Sequence, residues 1–158
     1  MSKILSLKGL LKEIDICRKL DKRIVFTNGC FDILHVGHVR YLAAAKAKGD
    51  ILVVGLNSDQ SIKSIKGEKR PLVCEAHRAE VIAGLECVDY VLVFYEPDPF
   101  NIIQAIMPDL LVKGGDWSEK TIIGADIVKA DGGKVVTIPF VAGFSTSMII
   151  QKIINRYG

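Results

Sequence analysis

The 158-residue chain has four cysteines, Cys17, Cys30, Cys74 and Cys87, and no Cys-x-x-Cys pair among them. That spacing supports neither a disulfide framework nor a zinc site, so free thiols are expected. No apolar run approaches the roughly 20 residues that span a bilayer. The N-terminal stretch interrupts its apolar positions with Lys3 and Lys8 and leads into no small-residue cleavage site. A membrane association and a signal peptide are therefore not expected, and the cytoplasm is the default compartment. Lysines are scattered instead of forming a basic block with interleaved aromatics, and the net charge is only +3, which argues against nucleic acid as a partner. Internal repeats, low-complexity tracts and linker-like composition shifts are also missing.

What is present is a regular alternation of apolar runs and helical patterns, with 49% hydrophobic and 25% charged residues. The length suits one domain spanning 1–158, with an N-terminal helical extension over about residues 1–20 marked by Leu7, Leu10, Leu11, Ile14, Cys17 and Leu20. Five mostly apolar segments predict buried strands: 23–27, 51–56, 90–94, 110–113 and 134–138. Helices are predicted over 39–48, 75–85, 100–107, 119–130 and 146–156. Strand and helix in alternation predict an α/β fold with a doubly wound parallel sheet, Rossmann-like, in which ligands sit beyond the carboxyl ends of the strands. The polar segments 57–71, 113–118 and 139–147 should gather at that edge, the first as a flexible basic loop.

The segment Asn28-Gly29-Cys30-Phe31-Asp32-Ile33-Leu34-His35-Val36-Gly37-His38 joins the first strand to a helix. Amides in a first helical turn lack intrahelical partners, and their dipoles favour an anion. His35 and His38, three apart, fall on one face of that turn, and Gly37 lets a ligand approach the backbone. Anion binding is the preferred reading; no third ligand stands at a spacing that would complete a metal site. Around Lys63 to Pro71 lies a basic stretch with Arg78 one turn into the following helix, suited to a phosphorylated small molecule. Lys113-Gly114-Gly115-Asp116-Trp117 follows a strand: its glycines allow close approach, Asp116 can accept from sugar hydroxyls, and Trp117 can cover a ring. Ser145, Thr146 and Ser147 open the last helix as a cap and a phosphate cradle together.

These residues resemble the cytidylyltransferase-like nucleotidyltransferase superfamily, whose marks are His-x-Gly-His and a Ser-Thr-rich motif before a late helix. Within it, the segments 27–32, 66–71 and 113–116 are similar to the D-glycero-β-D-manno-heptose 1-phosphate adenylyltransferases. The resemblance runs from about Arg23 to Ile154. It implies transfer of AMP from ATP to a heptose 1-phosphate, giving ADP-heptose and pyrophosphate for lipopolysaccharide core biosynthesis. Alternatives are a glycerol-3-phosphate-type cytidylyltransferase and a non-catalytic nucleotide sensor.

On that resemblance His35, His38 and Lys66 are the catalytic candidates. Thr27, Asn28, Gly29, Cys30, Phe31, Gly37, Lys46, Arg78, Ser145, Thr146 and Ser147 are candidates for nucleotide and phosphate contacts. Asp32, Arg70, Lys113, Gly114, Asp116 and Trp117 are candidates for the sugar phosphate. Mg²⁺ is expected as cofactor, bound mainly through ATP phosphates, with no protein metal site. A homodimer is the expected assembly, closed dimers being the commonest. Cys30, His77 and Ser147 depart from the family's frequent residues, and Ser147 keeps the hydroxyl.

Overall fold

The computed structural model describes residues 2–115, 121–139, 141 and 143–158. Apolar residues at Ile24–Gly29 (β1), Ile51–Asn57 (β2), Tyr90–Phe94 (β3), Leu110–Gly114 (β4) and Lys134–Ile138 (β5) form one sheet in the order β3-β2-β1-β4-β5. All four pairings are parallel. Successive side chains point to opposite faces, and both faces are covered, which is why these strands are apolar throughout. Ile24 and Phe26 pack on one side with Leu10, Ile14, Ile103 and Val128; Val25 packs on the other with Leu42, Ala79 and Ile82.

The first side is covered by α1 (Leu7–Lys19), α5 (Phe100–Ile106) and α6 (Ala125–Ala130), the second by α2 (Val36–Lys46) and α4 (Glu75–Ala83). Helix α1, expected as an extension, is part of the core: Leu10, Ile14 and Cys17 are buried. Ile4 adds a parallel bridge to Val91 at the β3 edge. Helix α7 (Thr146–Tyr157) buries no residue.

Helix boundaries follow the apolar periodicity within a few residues, save for one element. Asp59–Lys66 forms α3 where a flexible loop was expected. Ser58 caps it, its Oγ accepting from Ser61 N at 3.1 Å, and Ile62 is its one buried aliphatic anchor. Only Ile62 and Ile65 are apolar in it, too few to register as a helical stripe. Lys66 is thereby fixed in a last helical turn. The expected helix over 119–130 is described from Ala125, since residues 116–120 fall outside the described set.

Because the chain winds outward from β1 in both directions, the strand order reverses there. The crevice beyond the carboxyl ends of β1 and β4 is the place such a sheet offers a ligand.

Candidate active site

That crevice is a cleft of about 650 Å³, within the range of small-molecule sites. Its floor is the end of β1 and the turn after it. Phe31 adopts a left-handed backbone (φ 43°) that reverses the chain, and its ring stands edge-on to His38 with centroids 5.2 Å apart. His35 is the N-cap of α2: its Nδ1 accepts from Gly37 N at 3.1 Å. A Cβ at residue 37 would lie 2.9 Å from the His35 ring, so glycine is what lets this imidazole fold over the helix start. His35 and His38 then stack, centroids 3.9 Å apart and planes 22° apart.

Burial pushes the His38 pKa down to about 4, helped by the neighbouring His35, while the backbone of Ile33 pulls the other way. Burial also lowers that of His35. Both shifts favour the neutral rings before a ligand arrives. Two stacked imidazolium rings would repel, and an incoming polyanion supplies the compensation that lets them charge.

The basic wall is held by Asp32. Its carboxylate, 4% exposed, accepts from Arg70 Nε at 2.6 Å and from the amides of Leu72 and Val73 at 2.9 Å. Burial works to raise its pKa, but the Val73 and Leu72 amides and Arg70 outweigh it and hold the carboxyl below its ordinary value. Asp32 reaches the cleft edge, yet its oxygens are already engaged. Its geometry is that of a clamp on residues 70–73.

The opposite wall comes from the start of α7. Ser145 Oγ accepts from Met148 N at 3.1 Å as a cap, and Thr146 and Ser147 line the cleft beside it. Lys113 and Gly114 border it from β4, and Lys113 Nζ donates to Asn28 Oδ1 across the β1–β4 junction. Burial lowers the Lys113 pKa to about 8.

Of the residues singled out from sequence, Asn28, Gly29, Cys30, Phe31, Asp32, His35, Gly37, His38, Lys66, Arg70, Lys113, Gly114, Ser145, Thr146 and Ser147 line this one cleft. Three do not. Thr27 is fully buried beneath the floor, its hydroxyl 2.6 Å from that of Tyr41. Lys46 lies at the far end of α2, donating to Asp50 O and to Asp89 Oδ2 at 2.5 Å. Eight residues past His38, it is about 12 Å down the helix axis. Lys46→Ala should therefore leave steady-state turnover within about threefold of wild type and cost at most ~1 kcal/mol of stability by thermal melting.

Arg78 is the third. It is 1% exposed and turned away from the cleft, donating to Val73 O (2.9 Å), Cys30 O (2.6 Å), Asn57 O (2.8 Å) and Asp59 Oδ1 (2.8 Å). All three of its nitrogens are engaged by the protein, so it pins the ends of β1 and β2 to residues 73–78 instead of meeting phosphate. Asp116 and Trp117 lie outside the described residues.

Sequence reasoning missed Tyr41, Thr121, Ile122, Ile123, Val141 and Phe144, which also line the cleft. Tyr41 carried a usable signal, since it stands three residues after His38 on the same helix face. Burial pushes its pKa up to about 12, with the Thr27 hydroxyl opposing. The apolar residues add a hydrophobic part to the lining, suited to a flat ring. Cys30 borders the cleft as a thiol raised by burial, against the lowering effect of Lys66, Arg78 and Arg70. His77 is absent from the cleft lining.

A cytidylyltransferase-like family model matches residues 26–152. "Bifunctional protein HldE" of Geobacter metallireducens is 52% identical over 99% of this chain, and that of Helicobacter pylori 55% identical over 96%. The chain spans about a third of the length of these curated relatives, 32% and 31%. Among solved structures, the lipopolysaccharide core biosynthesis protein from Thermoplasma volcanium superposes with a TM-score of 0.59 at 27% identity, covering 76% of this chain and 97% of that one. With the family match lying over the cleft-forming β1–α2 turn and the start of α7, the chain belongs to the cytidylyltransferase-like family of nucleotidyltransferases.

Proposed function

We propose that this chain transfers AMP from ATP to D-glycero-β-D-manno-heptose 1-phosphate, yielding ADP-heptose and pyrophosphate. The observation that carries the reading is the convergence of His35, His38, Lys66, Arg70, Lys113 and the Ser145–Ser147 helix start on one cleft. Similarity to the two HldE proteins, and to a protein described as acting in lipopolysaccharide core biosynthesis, supports the choice of acceptor.

A sugar-phosphate oxygen attacks the α-phosphorus of ATP. The new oxygen–phosphorus bond forms as the bond to the β-phosphate breaks, and pyrophosphate leaves with the electron pair. A phosphate monoester is already an anionic nucleophile, so no covalent intermediate and no general base are needed. The protein's task is to bring two repelling anions into line and to stabilise charge on the transferring group. His35 and His38 supply donors at the α2 start, the α7 start cradles phosphate, and Lys66 faces the leaving pyrophosphate.

Mg²⁺ accompanies ATP and neutralises triphosphate charge. Among the described residues no group of three or more His, Cys, Asp and Glu could hold it, and Asp32 is occupied by Arg70, Leu72 and Val73. In this reading the ion would be held mainly through the phosphate oxygens of ATP.

Pyrophosphate release should be at least tenfold faster with ATP and the heptose phosphate than with CTP or with glycerol 3-phosphate. Preference for CTP and glycerol 3-phosphate would move the chain to the alcohol-phosphate cytidylyltransferases. ATP binding without release in any pairing would make it a sensor.

A further inference from the structure

The charges around the cleft are unequally compensated. Arg70 is paired with Asp32 at 2.6 Å and Arg78 with Asp59 at 2.8 Å. Lys66 is exposed, so water hydrates its ammonium. Lys113 differs from all three. It is partly buried at the cleft, and its contact is a neutral amide oxygen, that of Asn28. Among the described residues no carboxylate forms an ion pair with it.

Withdrawing an ammonium from water without a counter-ion is costly, and burial accordingly lowers its affinity for the proton. A neutral side chain of the same length could fill this place without that cost. The arrangement is one in which the protein supplies the cation and a ligand supplies the anion. Asn28 sits on β1 one residue before Gly29, at the root of the turn that carries His35 and His38. Its amide oxygen holds the ammonium at the β1–β4 junction, in the cleft that the imidazoles also line.

We propose that Lys113 is a catalytic residue of this site: its ammonium, held by Asn28 at the cleft, is the protein's partly buried counter-charge for an oxygen of the reacting phosphates. Two phosphates meet there, the α-phosphate of ATP and the phosphate of the acceptor. The identity of the acceptor rests on the proposed function; the phosphate chemistry does not.

The test uses Lys113→Met, which keeps length and removes charge, and Lys113→Gln as a second neutral variant. Both should melt no lower than wild type, because the substitution removes a desolvated charge. Loss of one charge-assisted contact predicts about thirtyfold weaker binding of inorganic phosphate by titration calorimetry and a similar or larger fall in kcat/KM. The two sources separate by arm. A raised ATP dissociation constant assigns Lys113 to the α-phosphate; a raised KM for the sugar phosphate with ATP binding unchanged assigns it to the acceptor.

Phosphate affinity, ATP affinity and turnover all within threefold of wild type in both variants would overturn the proposal and leave the nucleotidyl transfer intact. Loss of phosphate binding in the variants of a protein that makes no ADP-heptose would uphold it and sink the proposed acceptor instead.

Discussion

Replacing His38 with alanine should lower turnover by a hundredfold or more while leaving the fold in place. Removing one donor aimed at a developing oxyanion costs on that scale. His38 is the cleaner of the two histidines to remove. His35 accepts from Gly37 N as the cap of α2, so its loss mixes a structural cost of about 1 kcal/mol with any catalytic one. His38 Nδ1, by contrast, is buried with no hydrogen-bond partner and caps no helix, so deletion of the ring gives up only its contact with the Ile33 backbone.

The ring also has a pH signature. Its folded pKa of about 4 lies below the ordinary value of 6.5, so the unfolded chain binds a proton first as pH falls. Wild-type stability should therefore decline as pH drops through the window from 6.5 to 4, by on the order of 1–2 kcal/mol once solvent screening of this partly exposed ring is allowed for, and the His38→Ala protein should show a shallower decline. Near-normal turnover in the variant, measured by pyrophosphate release, would remove His38 from the transition state.

Arg78→Met should produce the largest loss of stability among single substitutions at the site. The guanidinium is buried and satisfies the carbonyls of Cys30, Asn57 and Val73 together with the Asp59 carboxylate. Methionine fills the volume but leaves three carbonyls and one carboxylate without their donor. Each orphaned buried acceptor costs on the order of 1 kcal/mol or more, for a total of about 3 kcal/mol. In a domain of this size that lowers the melting temperature by about 6–12 °C.

Turnover should fall as well, although Arg78 does not itself line the cleft, because the Cys30 carbonyl it holds begins the turn that carries Phe31 and both histidines. A lysine in its place would keep one or two of the four contacts, so Arg78→Lys should be intermediate in both readouts. An unchanged melting temperature in Arg78→Met would show that these contacts are not stabilising.

Arg78 also marks the limit of what could be read from the chain. Its place one turn into a helix, after a basic stretch, suggested a phosphate contact, and spacing alone carries no information on which way so long a side chain turns. Lys46 failed for a related reason: it shares a helix with the histidines, but residue type does not reveal that its partners, Asp50 and Asp89, lie at the opposite edge of the sheet.

The strands were legible because a parallel sheet covered on both faces demands continuous apolar runs. The His35–His38 turn was legible because an anion site needs a helix start, a glycine and donors in a short span. Helix α3 was hidden because six of its eight residues are polar and its stability comes from a cap and one buried isoleucine. The apolar side of the cleft, Ile122, Ile123, Val141 and Phe144, gathers residues from two segments that only the folded sheet brings together.

The central claim is direct transfer of the α-phosphate, and labelling that atom tests it most directly. ATP carrying ³²P at the α-position, incubated with Mg²⁺, D-glycero-β-D-manno-heptose 1-phosphate and the protein, should place the label in ADP-heptose, with one pyrophosphate released for each sugar nucleotide formed. Label retained on the protein, or released as AMP with no labelled sugar nucleotide, would contradict it.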